Sequence, residues 1–168
     1  MKRLLVFVIV LAASTPLYSQ KKLDKDISKR IDKYNNTITW SSPSFGKGFA
    51  ALVLEPVKFI KAEDNGNTFY YLNLTTYGST LNVGETGAIL LFTDGTKWER
   101  PNAKIDADVT DYGSWKYSIF ETISEDELKL FQTKDVEGFK LYIYTREDIT
   151  FKKREKIKGW AAAIERAN

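Results

Sequence analysis

The run Asp106-Ala107-Asp108-Val109-Thr110-Asp111 sets three hard oxygen ligands within six residues of strand-like sequence. On a strand, Asp106 and Asp108 project to the same side, and a following turn can carry Asp111 back over them. Calcium takes about six to eight oxygens, so three carboxylates would supply part of a site. The spacing departs from the EF-hand loop, whose sixth position is glycine: Asp111 stands there, and Gly113 comes two residues later. Simple alternation on a solvated strand face accounts for the same acids without a metal. The metal reading of Asp106, Asp108 and Asp111 therefore stays secondary, and no cofactor is implied.

Paired carboxylates can also hydrolyse glycosides, one protonating the leaving oxygen and the other attacking or activating water. Glu99, Asp106, Asp108, Asp111 and Glu121 are the acids available for that chemistry. It is the large hydrolase class that needs neither histidine nor cysteine, and this chain has neither. Their absence removes Ser-His-Asp and Cys-His centres, zinc fingers, disulfides and any lipid anchor on a cysteine. Gly46-Lys47-Gly48 and the segment from Gly78 to Gly87 lack the Gly-Lys-Ser/Thr ending of a phosphate-binding loop. The second reads as a connection between strands.

Aromatic side chains are the third resource. Tyr70, Tyr77, Trp98, Tyr112, Trp115, Tyr142 and Tyr144 cannot all be core residues of one small domain. Exposed on a sheet, such rings stack on sugars or anchor a protein interface. Tyr142 and Tyr144 come first, because alternation sets them opposite Phe139, Leu141 and Ile143. Tyr70, Trp98 and Trp115 follow. The basic run from Lys152 to Lys158 would suit anionic lipid or acidic polysaccharide. Glu147, Asp148, Glu155 and Glu165 dilute its field, so a solvated helix face is the preferred reading.

The elements that position these residues begin after a leader. Two basic residues, Lys2 and Arg3, precede the uncharged run from Leu4 to Ala13, and small or polar residues with Pro16 follow. This order is that of a secretory signal peptide over residues 1–19, cleaved after Ser19. The apolar run is shorter than a membrane span, which needs about 20 residues. Cleavage removes two of the 25 basic residues, leaving 23 against 22 acids, a net charge of +1. That balance gives no argument for nucleic acid as a partner. The expected location is periplasmic or secreted, without a transmembrane segment after cleavage, and without a lipoprotein anchor.

Residues 20–36 form a charged arm in which Leu23, Ile27, Ile31 and Tyr34 fit a narrow helical stripe. The same segment reads equally as a loose terminus. Residues 37–168 read as one β-rich domain. Asn65-Gly66 and Asp94-Gly95 predict two-residue hairpin turns. The first sets Phe59 opposite Leu72 and Val57 opposite Leu74 on the core face, with Ile60 and Tyr71 on the other. The apolar run from Ala88 to Phe92 predicts a strand covered on both faces. Further strands are predicted over residues 104–109, 115–123 and 139–144.

Ser124 with Glu127 forms a capping box, flanked by an Ile123/Leu128 staple, and predicts a helix start. Ile157, Trp160, Ala161 and Ile164 give residues 151–167 one apolar helical face. Gly159 weakens that helix by about 1 kcal/mol relative to alanine. The fold expected is mainly β: an antiparallel sandwich or bent sheet of about seven strands, with a short inserted helix and a C-terminal helix. The alternative is a single antiparallel α+β sheet with helices on one face.

Four stretches resemble something more specific. They are Gly78-Ser79-Thr80, Val83-Gly84-Glu85, Leu91-Phe92-Thr93-Asp94-Gly95-Thr96-Lys97, and Phe139-Lys140-Leu141-Tyr142-Ile143-Tyr144 before a terminal helix. Over residues 50–165 the chain is similar to small exported bacterial domains of unknown function. The resemblance implies a structural frame and no known activity, and assigns no functional residue. The leading expectation is a non-enzymatic binding or accessory module of the envelope or secretome, meeting a protein or glycan through exposed aromatics. The alternative is a carboxylate-dependent glycan hydrolase.

Overall fold

The structure, a computed structural model, describes residues 23–43, 56–110, 113–147 and 149–168. The leader, Gly46, Gly48, Asp111, Tyr112 and Asp148 lie outside the described residues. In chain order the strands are β1 (Ser28–Ile31), β2 (Ile38–Ser41), β3 (Val57–Asp64), β4 (Asn67–Gly78), β5 (Thr86–Phe92), β6 (Lys97–Lys104), β7 (Asp106–Val109), β8 (Trp115–Ile123), β9 (Val136–Leu141) and β10 (Tyr144–Arg146). Two helices lie wholly within the described residues, α1 (Glu125–Thr133) and α2 (Phe151–Arg166). One antiparallel sheet has the order β1-β2-β3-β4-β8-β7, and a second has β10-β9-β5-β6. The fold is therefore mainly β and sandwich-like, with an inserted and a C-terminal helix. The single-sheet alternative fails, because among the described residues β5, β6, β9 and β10 pair only with one another.

Local turn chemistry explains where the strand expectations held and where they did not. Asn65 and Gly66 both take positive φ, 49° and 78°, as a I′ turn requires. Asp64 accordingly faces Asn67, and Phe59 faces Leu72. At the second hairpin only Gly95 takes positive φ, 82°, and Leu91 faces Lys97. Phe92 N–H donates to Thr96 O at 2.9 Å and Gly95 N–H to Phe92 O at 2.9 Å. The connection is thus a three-residue Thr93-Asp94-Gly95 loop rather than the expected two-residue turn.

Four other expectations need correction. The run Ala88–Phe92 is covered on one face only: Ala88, Leu90 and Phe92 are buried, whereas Ile89 on the other face is 41% exposed. Residues 104–109 are not one strand: β6 ends at Lys104 in the smaller sheet, and β7 starts at Asp106 in the larger. Buried Ile105 marks the crossing, its N–H bonded to Glu85 O at 3.2 Å. The strand expected over 139–144 breaks at Tyr142-Ile143, which turns the chain from β9 into β10, with Tyr144 facing Leu141. The helical stripe of the amino-terminal arm gives way to β1, whose Ile31 pairs with Ile38 of β2.

Inner faces of the two sheets meet over Phe59, Leu72, Leu74, Leu90, Phe92, Tyr117, Ile119 and Leu141, all buried. Helix α1 closes this layer with one ring. Phe131 lies edge-on to Phe59 at 5.3 Å, Phe92 at 5.5 Å and Trp98 at 6.4 Å, touching both sheets. The helix starts as the sequence dictates: Ser124 Oγ accepts from Glu127 N–H at 3.1 Å, and Glu127 Oε2 accepts from Ser124 N–H at 2.9 Å. Ile157, Trp160, Ala161 and Ile164 of α2 are buried. Gly159 has a packing reason: a Cβ there would lie 2.1 Å from Leu23 Cδ1. No helix among the described residues is long and apolar enough to cross a membrane.

Candidate functional site: the outer face of the larger sheet

The β3–β4 register sends Lys58, Ile60 and Ala62 outward, opposite Asn73, Tyr71 and Phe69. On β8, Phe120 faces Asn73 and Thr122 faces Tyr71, so Phe120 is the diagonal neighbour of Tyr71. The two rings stack, with centroids 4.9 Å apart and planes at 21°. Phe120 is 52% exposed and Phe69 41%. With half-buried Ile60 they form an apolar strip crossing β3, β4 and β8. Thr39 and Ser41 of β2 extend the same face, facing Ala62 and Ile60. Asp106 and Asp108 of β7 complete it, facing Ser118 and Lys116.

Charges around the strip balance. Arg30, Lys58 and Lys116 project on this face, and so do Asp64, Asp106 and Asp108. Lys116 Nζ lies 2.7 Å from Asp108 Oδ2. Burial holds the Lys58 ammonium below its ordinary pKa. Asn73 is fixed on both ends, its Nδ2 donating to Ile119 O at 2.7 Å and its Oδ1 accepting from Thr75 Oγ1 at 3.2 Å. The hydroxyls of Ser118 and Thr122 have no protein partner among the described residues. Such a surface offers ring stacking, a rigid amide and hydroxyls able to give and take hydrogen bonds.

The chain matches no family model, no curated protein and no solved structure. Its own geometry therefore has to carry the assignment. Of the aromatics expected from sequence to bind, most serve the core. Tyr70 is buried. Trp98 is buried too, its Nε1 donating to Glu127 Oε1 at 2.9 Å and the Arg100 guanidinium 4.6 Å over its ring. Trp115 is half-buried against the core.

Tyr144 is a strut rather than a platform. It stacks on Tyr117 at 4.1 Å and 15°, and its hydroxyl donates to Thr80 O at 2.6 Å. Asn82 Nδ2 donates to Tyr144 Oη at 2.6 Å, and Tyr117 Oη donates to the same Thr80 carbonyl. The Tyr117 hydroxyl and then desolvation raise the Tyr144 phenol above its ordinary pKa. Tyr142 is the member that remains exposed, but on a turn instead of a strand.

The candidate acids separate. Asp106 and Asp108 lie on the outer face of the larger sheet, Glu121 on its inner side, and Glu99 on the smaller sheet. Among the described residues no three acidic side chains gather as a metal site. The basic run lies on α2, where Lys158 meets Asp135 at 2.9 Å and Glu155 at 2.7 Å. Tyr71, Phe69 and Phe120 were passed over in the sequence. The signal was present: if Trp115, Tyr117 and Ile119 face inward, Phe120 must face out, as Tyr71 does from the hairpin register.

Proposed function

We propose that this protein is a non-enzymatic binding module of the cell envelope or secretome that meets a neutral glycan through the outer face of its larger sheet. The observation that carries the reading is the Tyr71–Phe120 stack, a half-exposed aromatic pair on a rigid surface. An apolar ring face covers the C–H side of a sugar, while flanking hydroxyls and amides meet its O–H groups. Ser118, Thr122 and Asn73 stand beside the pair in register. The balanced charge of the face favours an uncharged polysaccharide over an acidic one. A protein partner would more commonly find a larger apolar core than this narrow strip provides.

The test is retention of the purified protein on insoluble neutral polysaccharides, cellulose and chitin, with calorimetry on their soluble oligosaccharides. Phe120→Ala should weaken binding about tenfold, the loss of one stacking contact worth about 1.4 kcal/mol. Its melting temperature should stay near the parent's, since the ring packs on the surface. Failure of the parent to bind either polymer, or undiminished binding by the variant, overturns the reading.

A further inference from the structure

The second sheet carries a separate cleft. Its volume is about 250 Å³, and Gly87, Ile89, Glu99, Pro101, Lys140 and Tyr142 line it. Its shape begins with a bulge. Thr86 faces Lys104 and Ala88 faces Arg100, so two steps on β5 span four on β6. Gly87 at the bulge takes φ 104°, a conformation that favours glycine, and a Cβ there would just reach contact with Pro101 O at 3.4 Å. The backbone hollow this leaves is roofed at one side by Tyr142, whose N–H donates to Gly87 O at 3.0 Å. Tyr142 takes φ 52°, an uncommon conformation for a bulky residue, and its ring stays 40% exposed.

Charge then specifies the occupant. Ile89 faces Glu99 on one side and Lys140 on the other, so the three stand in one row across β6, β5 and β9. Ile89, the middle of the row, is 41% exposed. Neither Glu99 nor Lys140 forms an ion pair with a described residue. An unpaired carboxylate and an unpaired ammonium thus flank an apolar floor, with their backbones about 10 Å apart, two interstrand steps. An extended dipeptide spans about 7 Å, and a hydrogen bond of about 3 Å at each end lets it bridge two groups set that far apart.

We propose that this cleft binds the free ends of a short apolar peptide of two or three residues. Glu99 takes its amino terminus, Lys140 takes its carboxylate, and its side chains cover Ile89 and the Tyr142 ring. The site shares no residue with the glycan-binding face, and the two readings stand or fall separately.

Titration of the ¹⁵N-labelled protein with the dipeptide Leu-Leu, its N-acetyl form and its C-amide tests this. Saturable shifts are expected at the amides of Ile89, Glu99, Lys140 and Tyr142, with each blocked peptide binding about fivefold or more weakly than the free one. Glu99→Gln should abolish the distinction between free and acetylated peptide while keeping that against the amide. Lys140→Gln should do the converse. Both residues are exposed, so preserved spectral dispersion verifies the fold of each variant. Absence of saturation at these four amides, equal affinity of free and blocked peptides, or shifts centred on Tyr71 and Phe120 would refute the proposal.

Discussion

Gly78→Ala probes the strut at the end of β4. A Cβ at Gly78 would lie 2.3 Å from Tyr144 Cε1, 2.7 Å from Cδ1 and 3.0 Å from Cζ. Ordinary van der Waals contact begins near 3.4 Å, so the ring must retreat by more than an ångström. It has little room to do so, being stacked on Tyr117 at 4.1 Å and bonded through its hydroxyl to Asn82 and Thr80. Overpacking of this kind costs about 1–3 kcal/mol. Losing two hydrogen bonds adds about 2 kcal/mol. Restricting the unfolded chain returns about 0.4–1 kcal/mol. The net expectation is a loss of about 2–4.6 kcal/mol, a large part of a typical domain's stability. Urea unfolding followed by tryptophan fluorescence measures it. In a Tyr144→Ala background the same glycine change should be near neutral, because the obstacle is gone. An equal cost in both backgrounds, or a single-variant loss under about 0.5 kcal/mol, would refute the steric argument.

Ser124→Ala should lower stability by about 1 kcal/mol through the lost cap, read as a shifted urea midpoint with an unchanged slope. Glu127→Ala removes the other half of the capping box and strands the buried Trp98 N–H, so about 2–4 kcal/mol is expected from chemical denaturation. At Glu127 desolvation pushes the carboxyl pKa up, but hydrogen bonds from Ser124 N–H, Arg100 and Trp98 outweigh it and hold it below the ordinary value. The folded state therefore binds that proton less readily than the unfolded chain. Its contribution is intact above about pH 4.5 and disappears as pH falls through the folded value, which melting at pH 3 to 5 will register. Tyr144, Tyr70 and Tyr77 titrate above their ordinary 10.0 when folded, so their contribution holds below that pH and is lost as pH climbs through the folded values. Melting temperatures that do not fall between pH 10 and 11 would contradict the raised phenols.

What the sequence made legible was what short-range rules govern. Asn65-Gly66 set a register, Ser124 with Glu127 started a helix, and Ile157, Trp160, Ala161 and Ile164 marked its counterpart. Less legible were features decided by distant partners. Nothing near Ile105 announces that the chain leaves one sheet for the other, since Lys104 and Asp106 look alike as strand residues. Tyr142 seemed to continue a strand because its positive φ depends on the bond to Gly87, more than fifty residues away. Tyr144 is drawn inward by Tyr117, Asn82 and Thr80, none of them adjacent in sequence. On the candidate face, the hairpin register placed Tyr71 outward, whereas its stacking on Phe120 needed the pairing of β4 with β8.

Phe131 has a further consequence for how the molecule comes apart. The ring rides on a nine-residue helix that starts by nearest-neighbour rules, yet it packs edge-on against Phe59 of one sheet and against Phe92 and Trp98 of the other. Displacing that ring would strip packing from both layers together. Melting should accordingly be a single concerted event, with reporters on either layer tracing the same curve.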